Sequence, residues 1–211
     1  MGLFQQYQTE EVQWGIWKME EPIDTLFSLL PDILKKSCEA EIQRFTSQTR
    51  KLEWLSVRVL FYSLVQQELQ IGYSAEGKPF LIGHPAYISI SHTRGYVAVI
   101  LSKSSLVGID IEQYGERVQR VANRFIRPDE KVEAYRADLI WGLLLYWSAK
   151  ETIFKSMEDA DADLRKLCIS HFTPQEEGSF QVREDITSRN QQFTVFYHIF
   201  ADFVLTWTLV K

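Results

Sequence analysis

Long apolar runs are missing from this chain of 211 residues. No eighteen consecutive apolar residues occur, so we expect no transmembrane helix and no membrane as a partner. The first residues do not place a basic region before an apolar one, so we also expect no signal peptide. These absences favour a soluble protein of the cytoplasm.

Cysteine, positive charge and glycine-rich loops are also scarce. The two cysteines, Cys38 and Cys168, are far apart and belong to no ligand cluster, which argues against a disulfide framework or a zinc site. The net charge is −5, which argues against a general nucleic-acid binder. No glycine-rich phosphate loop is present, which weighs against other Mg²⁺-dependent phosphotransferases.

Apolar material is plentiful, at 45% hydrophobic and 13% aromatic residues, so the chain can form a real core. The patterns predict strands first, then helices, then strands, followed by a second series of helices and strands. This order favours an α+β (α/β) protein built of two halves, 1–105 and 106–211. The predicted elements are a strand at 12–19, helices at 31–45 and 49–71, strands at 86–91, 96–101 and 106–112, helices at 117–127, near Pro128 and at 141–156, and strands at 167–172, 180–182, 193–200 and 203–210.

Two short runs carry the most chemistry. Asp110 and Glu112 lie two residues apart in an apolar stretch, so they would share one face of a strand. Trp147, Glu151 and Lys155 lie four residues apart, so they would share one face of a helix. Three carboxylates and one ammonium group together suggest a Mg²⁺ site that handles phosphate.

Each of these residues also has an ordinary structural interpretation. Glu151 and Lys155 form an i,i+4 pair of the kind found on many helix surfaces, and Glu112 fits a solvated strand end. Asp110 is harder to explain in this way, because a carboxylate in an apolar strand needs a partner. The combination of both runs favours the metal site.

Several further polar residues suit a phosphate or nucleotide ligand, although each also fits a solvated surface. Ser91 and His92 follow an apolar strand and precede a glycine turn, and Lys78 lies in a tight turn. Arg50 and Arg58 lie on the predicted helix 49–71, which also carries Trp54.

A basic stripe begins five residues after Glu112. Arg117, Arg120, Arg124 and Arg127 follow helical spacing, with apolar residues between them. The stripe is either a solvated face or a docking site for an acidic partner.

The two runs resemble the motifs of the surfactin-type 4′-phosphopantetheinyl transferases. That family has a Val/Ile-Gly-Ile/Val-Asp motif extended to Asp-x-Glu, followed by Trp/Phe-Ser/Cys-x-Lys-Glu-Ala/Ser-x-x-Lys. The matching residues here are 107–112 and 147–155, with Thr152 in place of Ala or Ser. Gly77-Lys78-Pro79, Ile90-Ser91-His92 and Arg44-Phe45 match further family motifs, so the resemblance extends from about residue 44 to residue 155.

The resemblance implies a pseudo-dimer of two similar α/β halves, with the active site in the cleft between them, and we expect a monomer. It implies transfer of 4′-phosphopantetheine from coenzyme A to a serine of an apo acyl or peptidyl carrier protein, with release of 3′,5′-ADP. The alternative is a non-catalytic module that binds coenzyme A or carrier proteins on the same fold.

Family roles then fall on the matching positions. Asp110, Glu112 and Glu151 would bind Mg²⁺ on the pyrophosphate, and Asp110, Glu151 and Lys155 would be catalytic, with Glu151 as a candidate general base. The resemblance also assigns coenzyme A contacts to Arg50, Arg58, Lys78, Ser91, His92 and Lys155, and docking of an acidic carrier to Arg117, Arg120 and Arg124.

Overall fold

The computed structural model describes residues 2–157 and 163–210. The chain divides between Ser105 and Leu106 into two compact units, the N-terminal unit and the C-terminal unit. Each unit contains helices and a sheet, which confirms the mixed α/β class. The more specific prediction, a pseudo-dimer with the active site in a cleft between its halves, stays a prediction.

The N-terminal unit contains a four-stranded antiparallel sheet in the order β1-β2-β6-β5, and α3 packs against β2 and β6. Its core is formed by the apolar face of α3, including Leu55 and Leu60, against residues such as Val97 and Val99 of β6. The elements are β1 (Leu3–Gln8), β2 (Val12–Lys18), α1 (Ile23–Ser28), α2 (Asp32–Ile42), α3 (Gln48–Val65), β3 (Ile71–Tyr73), β4 (Pro79–Leu81), β5 (Tyr87–Thr93) and β6 (Tyr96–Ser102).

The C-terminal unit contains a five-stranded antiparallel sheet in the order β7-β11-β10-β9-β8. The 18-residue helix α5 packs across β7 and β11, and Asp138 caps its first turn by accepting a hydrogen bond from the Ile140 amide. The elements are β7 (Val107–Gln113), α4 (Arg117–Val121), α5 (Leu139–Ser156), β8 (Leu167–Ile169), β9 (Glu177–Glu184), β10 (Gln192–Ile199) and β11 (Phe203–Leu209).

Three predicted helices differ most from the structure. Helix α3 ends at Val65 rather than at residue 71, because Gln66 adopts the left-handed conformation and the following apolar residues form β3. No helix forms near Pro128 in the described residues; residues 129–134 lack regular structure, and Tyr135 and Asp138 pair as an isolated bridge. The arginine-rich segment is a short α4 followed by a 3₁₀ turn at Ala122–Arg124 rather than one continuous helix.

Within residues 2–157 and 163–210, none of the helices combines the length and the apolar character that a membrane crossing requires.

Candidate active site

Gly108 sets how closely α5 approaches the strand that carries two of the predicted carboxylates. Gly108, Asp110 and Glu112 alternate along β7 and share the face that contacts α5. A methyl group at Gly108 would overlap the carbonyl oxygen of Thr152 on α5. Because glycine occupies this position, the helix lies directly against β7, beside Asp110.

Asp110 and Lys155 form an ion pair across this contact. Lys155 Nζ lies 2.6 Å from Asp110 Oδ1 and also donates a hydrogen bond to the Ile109 carbonyl oxygen at 3.3 Å. The Asp110 side chain is only 4% exposed, whereas Lys155 is 25% exposed. The ammonium group therefore compensates the buried carboxylate, and the lysine side chain stays partly exposed.

Glu112 is fixed by Trp147, the first residue of the second sequence run. The Trp147 indole Nε1 donates a hydrogen bond to Glu112 Oε1 at 2.7 Å, and the ring packs edge-on against Phe125. The indole thus joins the end of β7 to the middle of α5. The spacing of Trp147 predicted the correct helix face, but not this bond.

Two of the three carboxylates, Glu112 and Glu151, have raised pKa values. Burial, followed by the charge of Asp110, raises the pKa of Glu112 to about 7. Burial and Asp110 also raise the pKa of Glu151, and the charge of Lys155 opposes this shift. Burial and the charge of Asp110 therefore both disfavour the ionised forms of Glu112 and Glu151.

The chemistry of this donor set fits Mg²⁺, which prefers carboxylate oxygens, waters and phosphate oxygens. Among the described residues, no three His, Cys, Asp or Glu side chains are already grouped closely enough to hold a metal ion. Mg²⁺ commonly takes only one or two protein carboxylates, and its charge would relieve the repulsion that raises the pKa of Glu112. The metal-binding roles of Asp110, Glu112 and Glu151 stay predictions.

The N-terminal unit contains a cavity of about 410 Å³ that groups several of the predicted nucleotide contacts. Arg50, Ser91 and His92 line it, and Lys78 lies between two lining residues in the turn at Gly77 (φ 81°). Aromatic side chains of Phe45, Trp54 and Tyr73 also line the cavity. A cavity with flat apolar walls and a few cations suits a nucleotide.

Arg58 is not among the residues that line this cavity. Its guanidinium stacks 3.5 Å from the Trp54 ring centre and donates a hydrogen bond to the Trp54 carbonyl oxygen. Burial lowers the pKa of Arg58. The structure therefore shows Arg58 as a support for Trp54, and its predicted contact with coenzyme A stays a prediction.

Arg50 and His92 share a carboxylate, Glu53, that was not among the predicted site residues. Arg50 Nη1 lies 2.8 Å from His92 Nε2 and 3.1 Å from Glu53 Oε2, and Glu53 is only 17% exposed. The i,i+3 spacing of Arg50 and Glu53 on α3 could have indicated this ion pair, but pairs at this spacing are common on helices.

The three arginines expected to dock a carrier, Arg117, Arg120 and Arg124, are all exposed. Arg127, the fourth member of the predicted stripe, is instead paired with carboxylates of the protein itself. It forms ion pairs with Asp129 at 2.8 Å and with Asp185 at 3.0 Å. The exposed basic patch is therefore limited to the other three.

Lys150 and Glu130 are a further pair that the sequence did not indicate. Both side chains are 0% exposed, and Lys150 Nζ lies 2.8 Å from Glu130 Oε2. Burial lowers the pKa of Lys150, and the charge of Glu130 opposes this shift. The pair fastens α5, next to Glu151, to the segment that follows the arginines.

Comparison with known proteins agrees with the chemistry of the C-terminal unit. Residues 106–208 match the model of the 4′-phosphopantetheinyl transferase superfamily. Two curated relatives, both named 4′-phosphopantetheinyl transferase AcpT, come from Salmonella typhimurium and Salmonella typhi. Each is 28% identical over 134 residues, a match that covers 56% of this chain and 64% of the relative. The prediction of this superfamily is confirmed for residues 106–208, the segment that matches the superfamily model.

Proposed function

We propose that this chain transfers the 4′-phosphopantetheine group from coenzyme A to a serine of an apo carrier protein, in a Mg²⁺-dependent reaction that releases 3′,5′-ADP. The observation that carries the proposal is the Asp110–Lys155 ion pair beside Glu112 and Glu151, within the segment that matches the superfamily. The names of the two Salmonella relatives support the same chemistry.

Asp110, Glu112 and Glu151 are the residues that would hold the metal ion. When bound, Mg²⁺ neutralises charge on the pyrophosphate of coenzyme A. The raised pKa values of Glu112 and Glu151 support this role, because burial and the charge of Asp110 disfavour the ionised carboxylates and a bound cation would favour them.

Lys155 and Glu151 would act on the reacting groups. The carrier serine oxygen forms a bond to the phosphorus on the pantetheine side, and the bond from that phosphorus to the bridging oxygen breaks. The electron pair leaves with 3′,5′-ADP, and Lys155 stabilises the added negative charge. Glu151, one helical turn before Lys155 on α5, would accept the serine proton, directly or through a water molecule.

The cavity of the N-terminal unit would bind the nucleotide end of coenzyme A. Ser91, His92, Arg50 and the nearby Lys78 would contact phosphate, and the Trp54 ring, supported by Arg58, offers an apolar wall for adenine.

Arg117, Arg120 and Arg124 would meet an acidic carrier protein. Exposed charges of this kind mainly increase the rate of encounter. The surfactin-type subgroup, the monomeric state and the cytoplasmic location stay predictions.

The test is the mass of apo carrier proteins after incubation with this protein, coenzyme A and Mg²⁺. We expect each substrate carrier to gain one phosphopantetheine group. Asp110→Asn and Lys155→Met should each slow the transfer by about a hundredfold or more, the size of effect seen when one charge-stabilising group is removed. Glu177→Gln, which changes an exposed carboxylate on β9, is the matched control and should keep normal turnover.

The alternative of a non-catalytic binding module predicts a different result. Such a protein would bind coenzyme A, as measured by calorimetry, but no carrier would gain mass at any Mg²⁺ concentration. Normal turnover in Asp110→Asn would contradict the proposed role of the C-terminal unit.

A further inference from the structure

The cavity of the N-terminal unit contains a cation, Arg50, that a carboxylate of the protein already compensates. Arg50 Nη1 lies 3.1 Å from Glu53 Oε2, and His92 Nε2 lies 3.4 Å from the same oxygen. All three side chains line the cavity. Glu53 therefore contacts both of the groups that would otherwise be available to an anionic ligand.

Arg50 is the centre of this cluster. A guanidinium can only donate hydrogen bonds, and Arg50 Nη1 lies 2.8 Å from His92 Nε2 and donates to Glu53 Oε2 at 3.1 Å. Arg50 and Glu53 carry opposite unit charges, so the carboxylate compensates the charge of the guanidinium.

A guanidinium that is already paired with a carboxylate discriminates poorly in favour of phosphate. A phosphate monoester that entered here would have to displace Glu53 from Arg50, or bind beside a carboxylate of the same sign. Because Glu53 is only 17% exposed, water screens this repulsion less than it would on an open surface.

We propose that Glu53 is a specificity-determining residue of the nucleotide cavity: its carboxylate compensates Arg50 and so weakens the preference for nucleotides that carry a 3′-phosphate. This inference rests on the proposed function, because it assumes that the cavity receives the nucleotide end of coenzyme A. Glu53 acts through its two neighbours and need not touch the ligand.

The experiment compares two ligands that differ only by one phosphate group, 3′,5′-ADP and 5′-AMP. Their affinities are measured by calorimetry at low salt for the wild-type protein and for Glu53→Gln, whose folding is checked by circular dichroism. We expect Glu53→Gln to bind 3′,5′-ADP about tenfold more tightly, the change produced by about 1.4 kcal/mol. The affinity for 5′-AMP should stay within about twofold, and added salt should reduce the difference.

Two control variants separate this role from a structural one. Glu53→Asp keeps the charge and should keep the wild-type ratio of the two affinities. Glu41→Gln removes a second carboxylate that lines the same cavity, and it should change the ratio less than Glu53→Gln. A purely structural effect of Glu53 would weaken both ligands equally.

An unchanged ratio, weaker binding of 3′,5′-ADP by Glu53→Gln, or no binding of either nucleotide by the wild-type protein would overturn the inference. The carrier-mass assay tests the proposed function separately. Transfer by the wild-type protein with an unchanged ratio would refute the role of Glu53 alone. A shifted ratio without any carrier modification would refute the transferase and leave the role of Glu53 standing.

Discussion

Replacing Lys150 by methionine should destabilise the C-terminal unit by about 3–5 kcal/mol, the usual cost of removing one partner of a buried ion pair. Methionine has a similar length, so it fills most of the space of the lysine stem. It removes the hydrogen bonds from Lys150 Nζ to the Phe125 carbonyl oxygen, at 2.6 Å, and to Glu130 Oε2, at 2.8 Å. The Glu130 side chain, which is 0% exposed, then keeps its charge without an ammonium partner.

The size of this loss of stability depends on the hydrogen bonds that the Glu130 carboxylate keeps. Its two oxygens also accept hydrogen bonds from the backbone amides of Arg127 and Ile169, at 2.9 and 2.8 Å. These bonds hold the carboxylate in place, so it cannot easily turn towards water. A domain is typically stable by only about 5–15 kcal/mol, so the change should be large enough to measure without abolishing folding.

The assay is urea unfolding combined with hydrogen exchange. With an m-value of about 2 kcal/mol/M, the loss should lower the urea midpoint of the C-terminal unit by about 2 M. Exchange of the Ile169 amide, read by mass spectrometry of its peptide, should accelerate because that amide donates to Glu130. Lys131→Met, at the neighbouring exposed lysine, is the control and should change stability by less than about 0.5 kcal/mol. A loss below about 1 kcal/mol with unchanged protection of Ile169 would refute the reasoning.

Three further predictions address the predicted metal site and the docking patch. Gly108→Ala should destabilise the C-terminal unit by about 1–3 kcal/mol in urea unfolding, because the added methyl group meets the Thr152 carbonyl oxygen. An unchanged stability would show that α5 can move away at little cost. Since burial raises the pKa of Glu112 from its usual 4.5 to about 7, the folded state retains a proton that the unfolded state has lost, and stability should fall as pH rises through that window. Mg²⁺, which favours the ionised carboxylate, should therefore raise the melting temperature more at about pH 8 than at about pH 5. Equal increases in melting temperature at the two pH values, or an undiminished increase in Asp110→Asn, would contradict this. Arg120→Glu should raise the KM for an acidic carrier protein several-fold at low salt with kcat nearly unchanged, and an effect that persists at high salt would argue against electrostatic docking.

Several regular elements of the C-terminal unit could be predicted from the sequence, because they have a clear period. The alternation around Asp110 predicted β7, and the apolar spacing predicted α5, whose bounds shifted by two residues at its start. Elements with weak sequence patterns were not predicted. The strand β1 is short, mostly exposed and glutamine-rich, and helix α1 has only six residues, so neither gives a strong signal.

The positions of individual side chains were harder to predict than the elements that carry them. Spacing placed Asp110 and Glu112 on one strand face and Lys155 on one helix face, but it did not show that Asp110 and Lys155 are in contact. The segment after Arg124 shows the limit most clearly. Pro128 suggested a helix start, whereas Arg127 and Glu130 are held instead by ion pairs with residues up to 58 positions away. Single-sequence periodicity contains no information on such long-range partners.

Thr152 shows how packing constrains a motif position that spacing alone leaves open. Its hydroxyl lies 2.6 Å from the Thr206 hydroxyl on β11, the strand that pairs with β7 at Asp110. Its backbone carbonyl oxygen meets Gly108, two residues before Asp110. One residue of α5 therefore fixes the helix against both strands, and alanine, which the related family motif allows here, would lose the bond to Thr206. Since Lys155 follows Thr152 by three residues, we infer that this contact also sets the distance between the ammonium group and Asp110.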